Sequence, residues 1–403
     1  MISLHGKTDA IIYSDVPLDS AIAQIQQLID QPFMTNTTVR IMPDYHAGKG
    51  CVIGTTIQLN DKVVPNLVGV DVGCGVMVSK IESDHISYEQ LDRIIRTYVP
   101  AGHDVHSETA TARAYQQFEA RNFIAAGIQD AVTNVSLGTL GGGNHFIELA
   151  KGRDAYYLCV HTGSRSVGAK VAKWHQRRAT ELMRKGDRDA LIAELKAAGH
   201  MQHIQAEIEK LSLQYPHVPT DLHYLEGQAF DDYMHDMRLA QQYAHFNRKL
   251  ISETIAHHMG WSVREQFDTI HNYIDTESMT LRKGAVRALQ GEQLIIPMNM
   301  RDGSLLCIGK GNKDWNESAP HGAGRLFSRT QAMKQLNMDD FKQSMAHIWT
   351  TSVTTDTLDE APMAYKPMEH ITAHIHETVD IVEQIQPVYN FKASEHGKPH
   401  WKK

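Results

Sequence analysis

The stretch Val68-Gly69-Val70-Asp71-Val72-Gly73-Cys74-Gly75 sets a carboxylate and a thiol three residues apart among three glycines. Both side chains are anionic when they bind a metal, and a thiolate is a strong ligand for borderline-soft cations. Glycine lets the backbone bend tightly enough for both to face one cavity. A strand end with a buried, inert cysteine explains this octapeptide equally well when it is taken alone. Histidines then recur in similar settings: His145 behind Gly141-Gly142-Gly143-Asn144, His161 after the apolar run Tyr156 to Val160, and His271 after Phe267 to Ile270. In a chain with 24 histidines any single one reads as a satisfied structural residue. Five ligand-type residues at the C-terminal ends of apolar strands make that account poor for the set. Asp71, Cys74, His145, His161 and His271 suffice for two metals if the thiolate bridges, and paired metals suit phosphoryl chemistry. His321, in Ala319-Pro320-His321-Gly322-Ala323-Gly324-Arg325, lacks apolar flanks. It reads as a nucleophile, because neutral imidazole can attack phosphorus and form a phosphoramidate.

Elements must bring these residues together. The apolar approach through Val63, Val64 and Leu67 to Val70 is expected to be a buried strand ending in a turn. Cys51 to Gln58 and Lys62 to Val70 are expected to pair. Val39 to Met42 reads as a strand running into Pro43-Asp44-Tyr45-His46-Ala47-Gly48-Lys49-Gly50, a loop type that carries sites. Leu18 to Ile29, Tyr88 to Tyr98 and Thr109 to Val132 read as helices. From about Lys170 to His258 the chain reads as mostly helical, with an apolar stripe through Tyr233, Met237, Ala240, Ala244, Ile251 and Ile255 that marks core packing. Asn247 and Arg248 on that helix could reach a ligand, or cap a solvated face. The segment after His321 is expected to open a helix through Met333, whose N-terminal amides would face an anion. Ser164 and Arg165 follow His161 in a turn suited to phosphate. Arg282-Lys283-Gly284 sets two cations beside a glycine. The tail beyond Lys392, about 393–403, is basic and reads as frayed.

Composition bounds the rest. The 403 residues are 42% hydrophobic and 22% charged, ordinary for a soluble globular protein. Four scattered cysteines without a CxxC pair suggest a reduced, cytoplasmic setting. The N-terminus has no signal-peptide pattern, and no stretch is apolar enough to span a bilayer. A net charge of −7 argues against indiscriminate polyanion binding, though not against a local basic groove. No repeat or linker divides the chain. The expectation is therefore one mixed α/β domain over 1–403, with sheets flanked by helices around a central metal-binding cleft and a helical insertion near 170–258.

The ordered motifs MPDYHAGKG, VGVDVGCG, LGTLGGGNHFIE, HTGSR, HNY, RKGA, HGAGR and DEAPMAYK closely resemble the RtcB family of RNA ligases, from about Met42 to Lys392. The resemblance implies a GTP-dependent enzyme joining RNA 3′-phosphate or 2′,3′-cyclic phosphate ends to 5′-hydroxyl ends, in RNA repair or tRNA splicing. It implies two Mn²⁺ ions bridged by Cys74, with Asp71 and His145 at one and His161 and His271 at the other. His321 would carry GMP, Asp44 would be needed for activity, and Arg165 would contact phosphate. Asn144, Glu148, Ala323, Gly324, Tyr365 and Lys392 would line the nucleotide site. The resemblance also admits an archease-like activating partner.

One stretch departs from the family. Many relatives read Gly-Ser-Met-Gly after the strand ending at Pro297, where this chain reads Met298-Asn299-Met300-Arg301-Asp302-Gly303-Ser304. Ser304 is expected to keep one nucleotide contact, Asn299 to replace another serine, and Arg301 to add a cation for a phosphate. The departure is what a branch specialised for RNA repair would show. Two other functions compete. A two-metal phosphodiesterase or phosphatase would use the same ligands but has no use for a guanylylated His321. A catalytically silent RNA-binding module would need neither the ligands nor so acidic a balance.

Overall fold

The computed structural model describes residues 1–83, 85–107, 123–128, 135–214 and 218–393. Among them two large sheets dominate. The first has six strands in the order Ile2–Leu4, Ala10–Ile12, Thr38–His46, Ile53–Gln58, Thr280–Lys283 and Asn272–Asp275. The second has seven, in the order Ser262–Ile270, Gly75–Glu82, Tyr156–Thr162, Phe146–Lys151, Val379–Phe391, Gly303–Gly309 and Gln293–Asn299. Every neighbouring pair of the seven is antiparallel. The architecture is the expected mixed α/β class, and no helix among the described residues is long and apolar enough to cross a membrane.

Antiparallel pairing changes how the ligand-type residues are delivered. His161 lies near the C-terminal end of Tyr156–Thr162, and His271 follows Ser262–Ile270. Cys74 and His145 instead precede their strands, Gly75–Glu82 and Phe146–Lys151. In an antiparallel sheet the start of one strand lies beside the end of the next. The register sets Gly75 opposite both Thr162 and Ile270, and His161 opposite both Val76 and Phe146. All four residues therefore meet on one rim, although only two of them end a strand.

The approach to Asp71 is not a strand. Pro65–Val68 forms one helical turn, with Pro65 at its first position, where a fixed φ suits helix entry and the missing N–H costs nothing. Only Lys62–Val63 of that segment is extended, and it pairs with Leu225–Glu226. Ile53–Gln58 pairs instead with Thr38–His46 and Thr280–Lys283. Nor does a helix open beside His321. It begins at Arg329, where Ser328 and Gln331 form a capping box, and Arg325 makes a β-bridge with Tyr365. Gly324 (φ +73°) explains the delay, since a side chain there would collide with the Asp44 carbonyl. The helices Asp19–Ile29 and Tyr88–Tyr98 form as read. Of the helical reading of Thr109 to Val132, residues 123–128 form turns rather than helix, and the rest falls outside the described residues, as does the tail reading beyond Ala393.

Two long helices, Arg165–Ala197 and Gly227–Met259, account for most of the expected helical region, with Ile204–Gln214 between them. The stripe from Tyr233 to Ile255 is buried as read. Asn247 and Arg248 are fully buried too, and neither lines the cavity described below or caps a solvated face. Asn247 Oδ1 accepts from the amides of Gly138 (2.7 Å) and Thr139 (3.1 Å), while its Nδ2 donates to the carbonyls of Thr139 (3.0 Å) and Gly163 (3.1 Å). Arg248 donates to the carbonyls of Gly73 (2.7 Å) and Thr162 (2.9 Å) and makes a two-pronged ion pair with Asp268 at 2.7 Å. The helix thus pins the glycine loops that lead into Cys74 and His145 and the one that follows His161. Arg248→Met should leave Asp268 buried without its cation and cost roughly 3–5 kcal/mol, read from the urea midpoint and slope. An unchanged midpoint would contradict this role.

Candidate metal and nucleotide site

At the rim, the Cys74 sulfur lies 3.3 Å from His161 Nε2 and 3.5 Å from His145 Nε2. The three ligand atoms lie within 4.8 Å of one another, a grouping that could hold a metal ion. Asp71 Oδ2 stands 3.0 Å from His145 Nε2, and the rings of His161 and His271 are 5.1 Å apart. Each rim histidine bonded at Nδ1 uses a backbone carbonyl. His145 Nδ1 faces Leu140 O at 2.9 Å and His161 Nδ1 faces Asn144 O at 3.1 Å. That arrangement fixes the tautomer and turns Nε2 toward the sulfur. Cys74, His145 and His161 thus form one group, with Asp71 beside His145 and His271 beside His161.

Electrostatics suit the arrangement. Burial, helped by neighbouring imidazoles, pushes His161 and His271 well below the usual histidine range, so both rings are neutral and their lone pairs available. Burial and the adjacent Asp71 carboxylate push the Cys74 thiol well above its ordinary value. A thiolate there needs a positive charge of the kind a cation supplies. Burial alone would raise Asp71, but its hydrogen bond to His145 and that ring's charge bring it down to about 2. The donor set fits a divalent metal.

His161 and His271 also form one wall of a cavity of about 320 Å³. His321 stands beside them, its ring 5.0 Å from that of His271. Behind it lies Asp44, fully buried, with Oδ2 2.6 Å from His321 Nδ1. The pair is in close contact but out of line for a regular hydrogen bond, and neither atom has another partner among the described residues. Lys366 Nζ donates to the carbonyls of Pro43 (3.0 Å) and Tyr45 (2.9 Å), fixing Asp44 from both flanks.

The same cavity is lined by Asn144, Glu148, Asn299, Ser304, Ala323, Gly324, Tyr365 and Lys392, so the expected nucleotide-site residues share one space. Glu148 Oε1, Asn390 Oδ1 and Ser304 Oγ are buried without a hydrogen-bond partner among the described residues. Such atoms are costly unless something polar meets them. Burial raises the Glu148 carboxyl to about 7, although Asn390 Nδ2 donates to its other oxygen at 3.0 Å.

Other candidates take different places. Arg165 does not line the cavity; its guanidinium donates to Thr139 Oγ1 (3.1 Å) and Gly102 O (2.9 Å), on the Asp71 side of the rim. Arg301 does not meet the cavity either. Asp302 beside it neutralises it at 2.6 and 2.8 Å, while Asn299 Oδ1 accepts from the amides of Arg301 and Asp302 and closes the turn. Arg282 and Lys283 are buried on backbone carbonyls, among other partners, and act structurally. Among the polar lining residues, His46, Arg329 and Asn390 went unassigned in the sequence. Glu360, whose carboxylate binds several of the lining side chains, was also missed. Its signal was the acidic pair Asp359-Glu360 opening the polar loop that runs to Lys366; Arg329, at an ordinary helix start, gave none.

Because the sulfur stands between two imidazoles, Cys74→Ala should strip all bound metal, whereas His271→Ala should remove part of it. Metal counting by mass spectrometry on the purified variants checks this. Full metal content in Cys74→Ala would exclude the sulfur as the shared ligand.

The sequence matches the family model described as tRNA-splicing ligase RtcB over residues 24–135 and 129–393. It is 28% identical to the RNA-splicing ligase RtcB of Escherichia coli K12 over 406 residues, covering 90% of this chain and 92% of that protein. It is 27% identical to an RNA-splicing ligase RtcB2 from another Escherichia coli strain, over 87% and 86% of the two chains. Similarity extends to the tRNA-splicing ligase RtcB of Nanoarchaeum equitans, at 25% identity over 86% of each. With a thiol–imidazole rim, a histidine backed by a carboxylate and a polar cavity joining them, the chain belongs to the RtcB family of RNA ligases.

Proposed function

We propose that this protein is a GTP-dependent RNA ligase that joins RNA 3′-phosphate or 2′,3′-cyclic phosphate ends to 5′-hydroxyl ends, in RNA repair or tRNA splicing. The observation that carries the reading is the shared cavity. His321, with Asp44 at 2.6 Å, opens into the same 320 Å³ as His161 and His271 of the rim. A nucleophile has reason to stand so close to metal-ligand imidazoles when both act on one phosphate.

Asp71, Cys74, His145, His161 and His271 would hold two divalent ions. When bound, these supply nucleophile activation and neutralisation of phosphate charge. Mn²⁺ is the ion implied by the family resemblance, whereas a sulfur–nitrogen ligand set by itself ranks Zn²⁺ and Co²⁺ higher. GTP is consumed as a substrate. Its guanine edge offers adjacent N–H donors and a carbonyl, which complement the unpartnered Glu148 Oε1 and the Lys392 ammonium. Arg325, Arg329 and Lys392 line the cavity and suit a triphosphate.

Asp44 faces Nδ1 of His321, so Nε2 is the nitrogen left to attack. Its lone pair forms the N–P bond to the α-phosphorus of GTP as the bond to pyrophosphate breaks, and Asp44 stabilises the cationic ring. An oxygen of the RNA 3′-phosphate then displaces the imidazole, giving a mixed anhydride. The 5′-hydroxyl attacks the RNA phosphorus, loses its proton, and expels GMP. A cyclic end is first opened by water to the 3′-phosphate. The buried unpaired cysteines support a reduced, cytoplasmic setting.

His321→Ala should abolish protein–GMP formation while keeping the metal count, and RNA already bearing a 3′-GMP cap should still be joined. Persistent covalent GMP in this variant would overturn the assignment. The second test follows from Glu148, which is protonated below about 7 and ionised above it. Only the ionised form offers both oxygens to N–H donors, so GTP affinity should rise as pH increases through that value. Glu148→Gln should bind weakly with a flat profile, measured by fluorescent-nucleotide titration. A wild-type affinity that falls over this range would contradict the contact.

A further inference from the structure

The carboxylate of Glu360 lies at the end of the turn Thr355–Glu360, is 2% exposed, and does not line the cavity. Four groups that do line it converge on this one side chain. Tyr365 donates its hydroxyl to Oε2 at 2.5 Å and Lys392 Nζ lies 2.8 Å from the same oxygen. Arg329 and Arg325 approach Oε1 at 2.9 and 3.0 Å. These groups come from three separate stretches of chain, and no other described side chain gathers them. Arg325 is further tied to the Asp359 carbonyl and stacks on the Tyr365 ring, 5.2 Å from its centroid.

The network also continues to the rim. Lys392 Nζ donates to the Asn144 carbonyl at 3.3 Å, and that same oxygen faces His161 Nδ1 at 3.1 Å. His161 in turn presents Nε2 to the Cys74 sulfur at 3.3 Å. A chain of hydrogen bonds thus runs from Glu360 through Lys392 and one backbone oxygen to a candidate metal ligand.

We propose that Glu360 is a positioning residue for the triphosphate, holding Arg325, Arg329, Tyr365 and Lys392 as one preorganised cationic wall in register with the metal rim. The proposal rests on the GTP reading given above. Fixing three long side chains in advance avoids the entropy they would otherwise lose when the nucleotide binds. It also uses one negative charge to do so, and that charge opposes the phosphates. Positioning and charge therefore make opposite predictions. If Glu360 only attenuated the positive field, its neutralisation would strengthen GTP binding.

The test is protein–GMP formation with radiolabelled GTP in metal-loaded full-length protein, comparing wild type, Glu360→Gln and Glu360→Asp. Glu360→Gln should raise KM for GTP about tenfold to a hundredfold, the loss of charge-assisted hydrogen bonds, with kcat little changed. Glu360→Asp keeps the charge but loses reach, so it should fall between the two. Metal content and melting temperature show whether each variant is folded, and if Glu360→Gln is not, Glu360→Asp carries the comparison. An unchanged or lower KM in the folded variant would overturn the proposal, as would a loss confined to kcat. A wild-type protein that takes no label would instead overturn the GTP reading itself, and the two failures are thereby separate.

Discussion

The buried ion pair between Arg248 and Asp268 is the constraint on which the rest of the site depends. Neither glycine loop could hold its shape alone, because glycine has the greatest conformational freedom to lose on folding. Arg248 takes the carbonyls of Gly73 and Thr162, which adjoin Cys74 and His161, onto one guanidinium. One residue earlier on the same helix, Asn247 does the same for the loop before His145. A long helix whose outward residues carry no chemistry thus supplies rigidity to loops that do. Sites on rigid supports are more exact than sites on free loops.

The second organising feature is antiparallel pairing. With neighbouring strands running in opposite directions, starts and ends alternate along one rim. Cys74 and His145 enter from strand starts, His161 and His271 from strand ends; the register brings Cys74, His145 and His161 within ligand distance and sets His271 beside His161. The six-stranded sheet contributes from the other side. Thr38–His46 carries Asp44 to His321, and Gly324 permits the close approach. On this view the cavity is a seam between sheets, lined both by candidate metal ligands and by nucleotide-facing groups.

Much of this was legible in the sequence because ligand chemistry restricts residue type. A thiol, a carboxylate and histidines framed by glycine and apolar runs stand out from any background, and the rim and His321 follow from them, whereas the nucleotide-facing residues came from the family resemblance. Harder to read were the supports. Asn247 and Arg248 looked like exposed polar positions on a helix, since only tertiary packing turns them inward. Arg301 looked like a spare cation, because sequence does not show that Asp302 beside it folds back to neutralise it. The segment before Asp71 looked extended because its apolar residues are consecutive. Pro65 and Gly69, which start and stop a single helical turn, outweighed that pattern. Glu360 escaped notice because a carboxylate's worth depends on what surrounds it, here four side chains from distant positions.

The account's central claim is that the carboxylate-backed histidine and the metal rim serve one phosphoryl transfer. Peptide mapping of metal-loaded wild-type protein after incubation with GTP, without RNA, tests it most directly. The account predicts GMP on the peptide containing His321, through an acid-labile, base-stable bond, as expected for a phosphoramidate. GMP on a different residue, or none at all with the metals in place, would contradict it.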